Sequence, residues 1–267
     1  LRGIQDVKED RQGSCVACLV AENPSNLSAT VMSETRIDKN YYDSSDYFEG
    51  KAAHLLDSNS KFQRYRVSRV LEIHQPRRED RVIDVGCGWG TFSFALADKV
   101  AETVGVDFSK KSVEICNQRL ANNPKQNLQF LCTDAGSTGL ESETFDLAIA
   151  ADIFEHLYPV DSVKVTSEIY RLLKPGGRFS IWTPHRGHVL EILKNRNILL
   201  KRDPSHVDYK SMAALNRLLI DAGFQIERAY FVESHIPGLR SIERIVQRFF
   251  PPLRRRIAIL AQKPNLS

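Results

Sequence analysis

Two carboxylates and three closely spaced glycines are the residues of this chain best placed to do chemistry. Asp84 sits in the apolar run Val82-Ile83-Asp84-Val85, and Gly86, Gly88 and Gly90 follow it directly. Asp107 closes a second apolar run, Val104-Gly105-Val106-Asp107. A buried strand, a glycine-rich turn, a helix, and then another strand ending on an acid describe a nucleotide-type ligand lying across neighbouring strand ends of a parallel sheet. Gly86 and Gly88 admit the ligand against the backbone. Asp107 can accept from both ribose hydroxyls, a charge-assisted bidentate contact. Phe108 follows and is placed to cover an adenine face or to pack in the core. The ligand read from this pattern is an adenosine-containing cofactor. A dinucleotide fingerprint requires G-x-G-x-x-G, whereas here Thr91 follows Gly90, so the spacing points away from a nicotinamide.

These residues need elements to hold them. Apolar runs predict strands near 81–85, 102–107, 127–132, 145–151, 178–183, 224–233 and 256–262. Helical patterns fall near 91–99, 110–122, 161–173 and 210–222, and a further helical stretch begins at Tyr41 and runs through Phe62 to Leu71. Strands alternating with helices of this length make βαβ units and a parallel sheet covered on both faces. Ala151 and Asp152 end the fourth strand at the topological switch point, where ligands of such sheets sit.

The ordered motifs resemble the class I S-adenosylmethionine-dependent methyltransferases, in particular the bacterial group related to quinone-biosynthesis methyltransferases. Besides the glycine turn and Asp107, the resemblance runs through Thr133-Asp134-Ala135, Phe145 to Leu157, and Arg171-Leu172-Leu173-Lys174-Pro175-Gly176-Gly177-Arg178-Phe179. It covers roughly residues 40 to 264. It implies a Rossmann-like three-layer α/β sandwich with a seven-stranded, mostly parallel sheet and an antiparallel last strand. The implied cofactor is S-adenosylmethionine, released as S-adenosylhomocysteine. By the same resemblance Asp84 helps hold the methionine amino group and Asp134 bonds the adenine amino group, with Ala135 beside it. The expected cofactor contacts are therefore Asp84, Gly86, Cys87, Gly88, Gly90, Asp107, Phe108, Asp134, Ala135 and Ala151, with the Cys87 and Trp89 side chains projecting elsewhere.

Composition sets the outer limits. A chain of 267 residues with 42% hydrophobic content can build one sizeable α/β core. Thirty-seven basic against thirty-three acidic side chains give no charge argument for nucleic acid. No apolar run reaches the ~18 residues of a transmembrane helix. The cysteines are odd in number (15, 18, 87, 116 and 132) and fall mostly on core elements, which fits a reduced, cytoplasmic setting. Cys15-Val16-Ala17-Cys18 lacks the second pair or nearby histidine that a metal site would need. Residues 1–38 lack any sustained period and are expected to be a disordered extension, Met32 being an ordinary start for the folded domain of 39–264. That domain would carry an N-terminal helical cap, with Tyr42, Tyr65 and Arg66 near the methionine end, and acceptor-side insertions at 184–209 and 235–254.

The acceptor chemistry is less defined. Methyl transfer from a sulfonium is an in-line displacement that alignment alone can accelerate, and a base is required only where the acceptor must lose a proton. His156, just past the fourth strand, is one candidate base. His206, in a Pro204-Ser205-His206-Val207 run that resembles the family's, is the other. Asp152-x-x-Glu155-His156 is similar to the Glu-x-x-Glu-His array that holds a divalent cation in some quinone and ribose O-methyltransferases, but with Asp in the first position, and no metal ligand is assigned. Leu239, Ile242, Ile245, Val246, Phe249 and Phe250 fall on one helical face and Arg240, Arg244 and Arg248 on another. Residues 239–256 therefore either pack on their own domain or meet a lipid-like acceptor and anionic headgroups. The expected acceptor is small or lipid-like and methylated on oxygen. A metal-assisted O-methyltransferase and an inactive cofactor-binding partner subunit stand as alternatives.

Overall fold

A computed structural model describes residues 37–44, 60–196, 198, 203–233 and 240–265. The expected extension, Cys15, Cys18 and Met32 lie outside the described residues, apart from Ile37 and Asp38, which are described. The strands are β1 (Arg81–Val85), β2 (Glu102–Asp107), β3 (Leu128–Cys132), β4 (Phe145–Ala151), β5 (Leu173–Pro184), β6 (Gln225–Val232) and β7 (Arg256–Gln262). The helices are α1 (Lys39–Tyr42), α2 (Lys61–His74), α3 (Thr91–Ala97), α4 (Lys110–Asn122), α5 (Pro159–Leu172), α6 (Val189–Asn195), α7 (Met212–Asp221) and α8 (Arg240–Phe249).

One sheet in the order β3-β2-β1-β4-β5-β7-β6 carries the fold. β1 to β5 pair in parallel, and β7 runs antiparallel to both of its neighbours, β5 and β6. The chain order reverses between β1 and β4, so their carboxyl ends open a crevice there. Successive strand residues feed opposite cores, as the period of two demands. Ala148 and Ala150 join Val165, Ile169, Leu215 and Leu219 of α5 and α7. Leu147, Ile149 and Ala151 join Val70, Ile73, Phe92 and Leu96 of α2 and α3. Helices on both faces make this the three-layer sandwich that the alternating pattern predicts.

One strand boundary differs from the sequence reading. The Pro175-Gly176-Gly177 run looks like a turn that precedes β5, yet β5 begins at Leu173 and takes the run in as a register shift between the Phe145 and Leu147 pairings. Gly176, at φ 78°, supplies the backbone conformation this kink needs.

Candidate functional site

The glycine turn is built where β1 hands over to α3. Gly86 N–H and Cys87 N–H both donate to Val106 O, at 2.9 and 3.0 Å, tying the turn to the end of β2. Gly88 has φ 53°, a conformation that favours glycine, and a Cβ there would meet nothing within 4 Å. Its α-carbon thus faces open space, which is what a ligand lying on the backbone requires. Gly86 is constrained differently, since a Cβ there would sit 2.5 Å from Ile153 Cδ1. Cys87 points away into a small core with Cys116, Leu128 and Phe130, and Trp89 is buried.

Two buried carboxylates flank this turn. Asp107 Oδ2 accepts from Gly88 N–H and Oδ1 from Ser109 N–H, each at 2.9 Å. Burial pushes its acid up to about 6, against the pull of those two amides, and Asp43 adds to the rise. Asp84 Oδ2 accepts from Ser93 Oγ at 2.5 Å. Burial likewise raises Asp84 to about 6, only partly offset by its bonds to Ser93. Both acids are costly to ionise without a ligand, and a cationic amino group or ribose hydroxyls would relieve that cost. Ser93 carries no sequence signal beyond its place on α3 opposite Asp84.

A short cap straddles the crevice. Tyr42 Oη lies 3.0 Å from His156 Nδ1, and its ring lies 5.3 Å from that of Phe108, which is itself exposed. Asp43 Oδ1 accepts from Ser109 Oγ at 2.6 Å and from Lys111 N–H at 3.2 Å. Ile37 N–H donates to Tyr158 Oη at 3.0 Å. Residues 37–43 therefore bind the loops after both β2 and β4. Asp134 is exposed past β3, with Oδ1 accepting from Gly136 N–H at 2.7 Å, while Ala135 packs against the main core.

Beyond β4 the two histidines come together. His156 lies in a single helical turn, Phe154–His156, and its ring meets that of His206 edge-on at 4.7 Å. The loop carrying His206 is laced to this turn. His156 Nδ1 lies 3.0 Å from Ser205 O, Asp208 N–H donates to Glu155 O at 3.2 Å, and Lys210 Nζ donates to Phe154 O at 2.9 Å. Burial and the neighbouring His206 pull His156 down to about 4, so its ring is neutral at physiological pH. His206 Nδ1 lies 2.5 Å from Tyr209 Oη. Tyr209 in turn bonds the Glu191 carboxylate of α6, and its phenol is pushed up chiefly by burial. Tyr209 and Glu191 were invisible as site residues because only the folded loop aligns them with His206.

Asp152 does not fill the place that the acid-x-x-Glu-His pattern suggested. Its carboxylate is held by the guanidinium groups of Arg66 from α2 and Arg256 from β7. Burial would raise Asp152, but the two arginines outweigh it and hold the acid below its ordinary value. Asp152 adopts φ 60°, unusual for a residue with a side chain. The acidic and imidazole groups that converge are instead Glu155, His156 and His206, with ligand atoms all within 4.8 Å of one another. Glu155 is buried, accepts from Thr183 Oγ1 at 2.9 Å, and is raised to about 8 by burial and by Asp152.

A switch-point crevice holding a glycine turn and two strand-end acids defines a nucleotide-binding α/β enzyme of the class I methyltransferase type. A methyltransferase-domain family model matches residues 76–226, more than half of the chain, and the chain belongs to that S-adenosylmethionine-dependent family. It is 30% identical over 147 residues to YcgJ, an uncharacterized methyltransferase of Bacillus subtilis, covering 54% of this chain and 56% of that one. The solved structure of YcgJ matches with TM-score 0.59 at 22% identity, over 76% of this chain and 100% of the other. The demethylmenaquinone methyltransferase of Lactococcus lactis is 28% identical over 157 residues, 57% of this chain and 60% of the relative. The chain thus spans little more than half the length of these curated relatives. A phosphoethanolamine N-methyltransferase of Haemonchus contortus, solved with S-adenosylhomocysteine, has TM-score 0.66 at 17% identity, over 86% of this chain and 61% of that one. At that identity the likeness is one of fold.

Proposed function

We propose that the protein transfers a methyl group from S-adenosylmethionine to a hydroxyl of a small or lipid-like acceptor, with His206 as the base. The observation that carries this reading is the chain of groups behind His206. Tyr209 bonds the Glu191 carboxylate and its oxygen lies 2.5 Å from His206 Nδ1, and in the tautomer whose Nδ1–H donates to Tyr209 it is Nε2, 4.0 Å from Asp203 Oδ2, that would take the proton. A base matters for an oxygen nucleophile, whose proton must leave as the bond to carbon forms. An amine acceptor attacks through its lone pair and needs less help.

The cofactor residues follow the same reading. Asp107 would hold the ribose and Asp84 the methionine amino group. Gly86, Cys87, Gly88 and Gly90 would line the turn through their backbone, with Phe108, Asp134, Ala135 and Ala151 around the adenosine. S-adenosylmethionine supplies a sulfonium-bound methyl, a group that needs alignment more than activation. Tyr42, bonded to His156 and stacked toward Phe108, would exclude water from that end of the crevice.

The convergence of Glu155, His156 and His206 supports a second reading, in which these residues hold a divalent cation that polarises the acceptor hydroxyl. Asp152 takes no part in it, because Arg66 and Arg256 occupy its carboxylate.

The test is incubation with methyl-labelled S-adenosylmethionine and a cell extract, followed by separation of organic-soluble, aqueous and macromolecular fractions. Label in the organic fraction, released by treatments that cleave methyl ethers or esters, supports a lipid-like oxygen acceptor. Label in the aqueous fraction replaces it with a small polar acceptor, and label confined to macromolecules overturns the reading. Loss of transfer in a chelator, restored by Mg²⁺ or Mn²⁺, selects the metal reading over the base.

A further inference from the structure

Helix α8 is turned the opposite way round from an ordinary amphipathic surface helix. Such a helix packs its apolar stripe inward and leaves its polar face to water. Here Ile242, Ile245 and Phe249, which share one face, are 57, 61 and 81% exposed, while polar Gln247 on the other side is 6% exposed. Gln247 backbone O accepts from Arg254 Nε at 3.0 Å, which ties the end of α8 to the turn that follows it. Phe250 and Leu253 extend the apolar surface into the Pro251–Leu253 turn.

We infer that α8 and this turn seat the protein on a lipid bilayer carrying anionic headgroups. Each exposed aliphatic or aromatic side chain left in water forgoes a favourable burial, so the outward stripe is suited to an apolar medium. Charge selects the occupant. Residues 240–255 contain five arginines and one glutamate. A second copy of the chain packed here would bring two segments of the same net positive charge together, whereas anionic headgroups complement that charge. Arg256 lies beyond this segment and pairs with Asp152.

The position of the helix relative to the crevice gives the contact a use. The residues just after the turn are joined to the acceptor side: His185 N–H donates to Arg255 O at 3.0 Å, His185 Nδ1 lies 3.0 Å from Arg254 O, and Arg256 reaches Asp152. A bilayer under α8 therefore lies next to the segment that enters the site. In this respect the inference rests on the lipid-like acceptor proposed above, though the contact itself can be measured without an acceptor.

The experiment is co-sedimentation of the full chain with vesicles of phosphatidylcholine alone and of phosphatidylcholine mixed with phosphatidylglycerol, in low and high salt. The expected result is partitioning onto the mixed vesicles, weakened by salt. Ile245→Asp and Phe249→Asp should each lower vesicle affinity on the order of tenfold or more, with S-adenosylhomocysteine affinity unchanged as proof of folding. No partitioning onto mixed vesicles overturns the inference. So does equal binding by the folded variants, or concentration-dependent dimerisation that Phe249→Asp abolishes while vesicles bind nothing. None of these results bears on whether methyl transfer to oxygen occurs, which the labelled-extract experiment decides separately.

Discussion

Gly88 N–H donates to Asp107 Oδ2 at 2.9 Å across nineteen residues of sequence. The two halves of the fingerprint are thus one hydrogen-bonded unit before any cofactor arrives. The backbone amide of the turn fixes one carboxylate oxygen, and Ser109 N–H fixes the other.

Replacing Asp107 with Ala should weaken S-adenosylhomocysteine binding by well over tenfold, about 2 kcal/mol for a lost charged hydrogen bond. Titration calorimetry measures this directly. Asp107→Asn would retain one acceptor oxygen and should fall between the two.

Cofactor affinity should depend on pH around 6. Asp84 and Asp107 are raised from 3.8 to about 6 in the folded protein. Their burial therefore favours the protonated acids, and the stability they contribute to the ligand-free fold is full below 3.8 and is lost as pH rises through about 6. A ligand that donates hydrogen bonds or carries a positive amine prefers the ionised acids. Affinity should then climb with pH up to about 6 and level off above it, with proton release on binding in the lower part of that range. An affinity independent of pH from 5 to 8 would contradict both assignments.

His206→Ala should lower kcat by roughly 10² to 10⁴ and leave S-adenosylhomocysteine affinity within about twofold, since the role proposed for it is towards the acceptor. Tyr209→Phe removes the link to Glu191 and should show a smaller drop with a displaced pH–rate profile. A structural role for Tyr209 would lower stability and leave that profile where it was.

Asp152→Asn tests the ion triad. It strips the charge from a residue flanked by Arg66 and Arg256, whose side chains are 9 and 24% exposed, and should cost on the order of 3 kcal/mol, or roughly 6 to 12 °C in Tm. Asp152→Gly relaxes the φ of 60° but also removes the acceptor oxygen that Asn keeps for the two guanidinium groups, so it should be at least as damaging. The native acid is held below its ordinary 3.8, so its contribution is present above that value and lost as pH falls below it.

Much of the sheet was legible because its strands obey local rules. β1, β2, β4 and β7 are apolar runs bounded by turn residues, and their limits match the sequence reading at both ends. β5 was clipped because Pro175-Gly176-Gly177 gives the strongest turn signal in the region, and only pairing with β4 draws it into the strand. The short helix α6 was missed inside the acceptor-side insertion expected at 184–209. Asp84 and Asp107 could be placed from sequence, since each acid sits at a fixed offset on its own strand. The Arg66–Asp152–Arg256 triad could not, because it joins elements separated by 86 and 104 residues. The sequence places Arg256 at the start of a strand, but nothing local says that its guanidinium turns inward to Asp152.

The position of β7 has a consequence for how the chain is made. β6, at the sheet edge, pairs with β7 alone, and β7 inserts between it and β5. While the ribosome is still extending the chain past β6, that strand has no neighbour to dock on, and β5 has an open flank. The sheet can close only after residue 262 has cleared the exit tunnel. A nascent chain halted anywhere between β6 and β7 should therefore depend on chaperones.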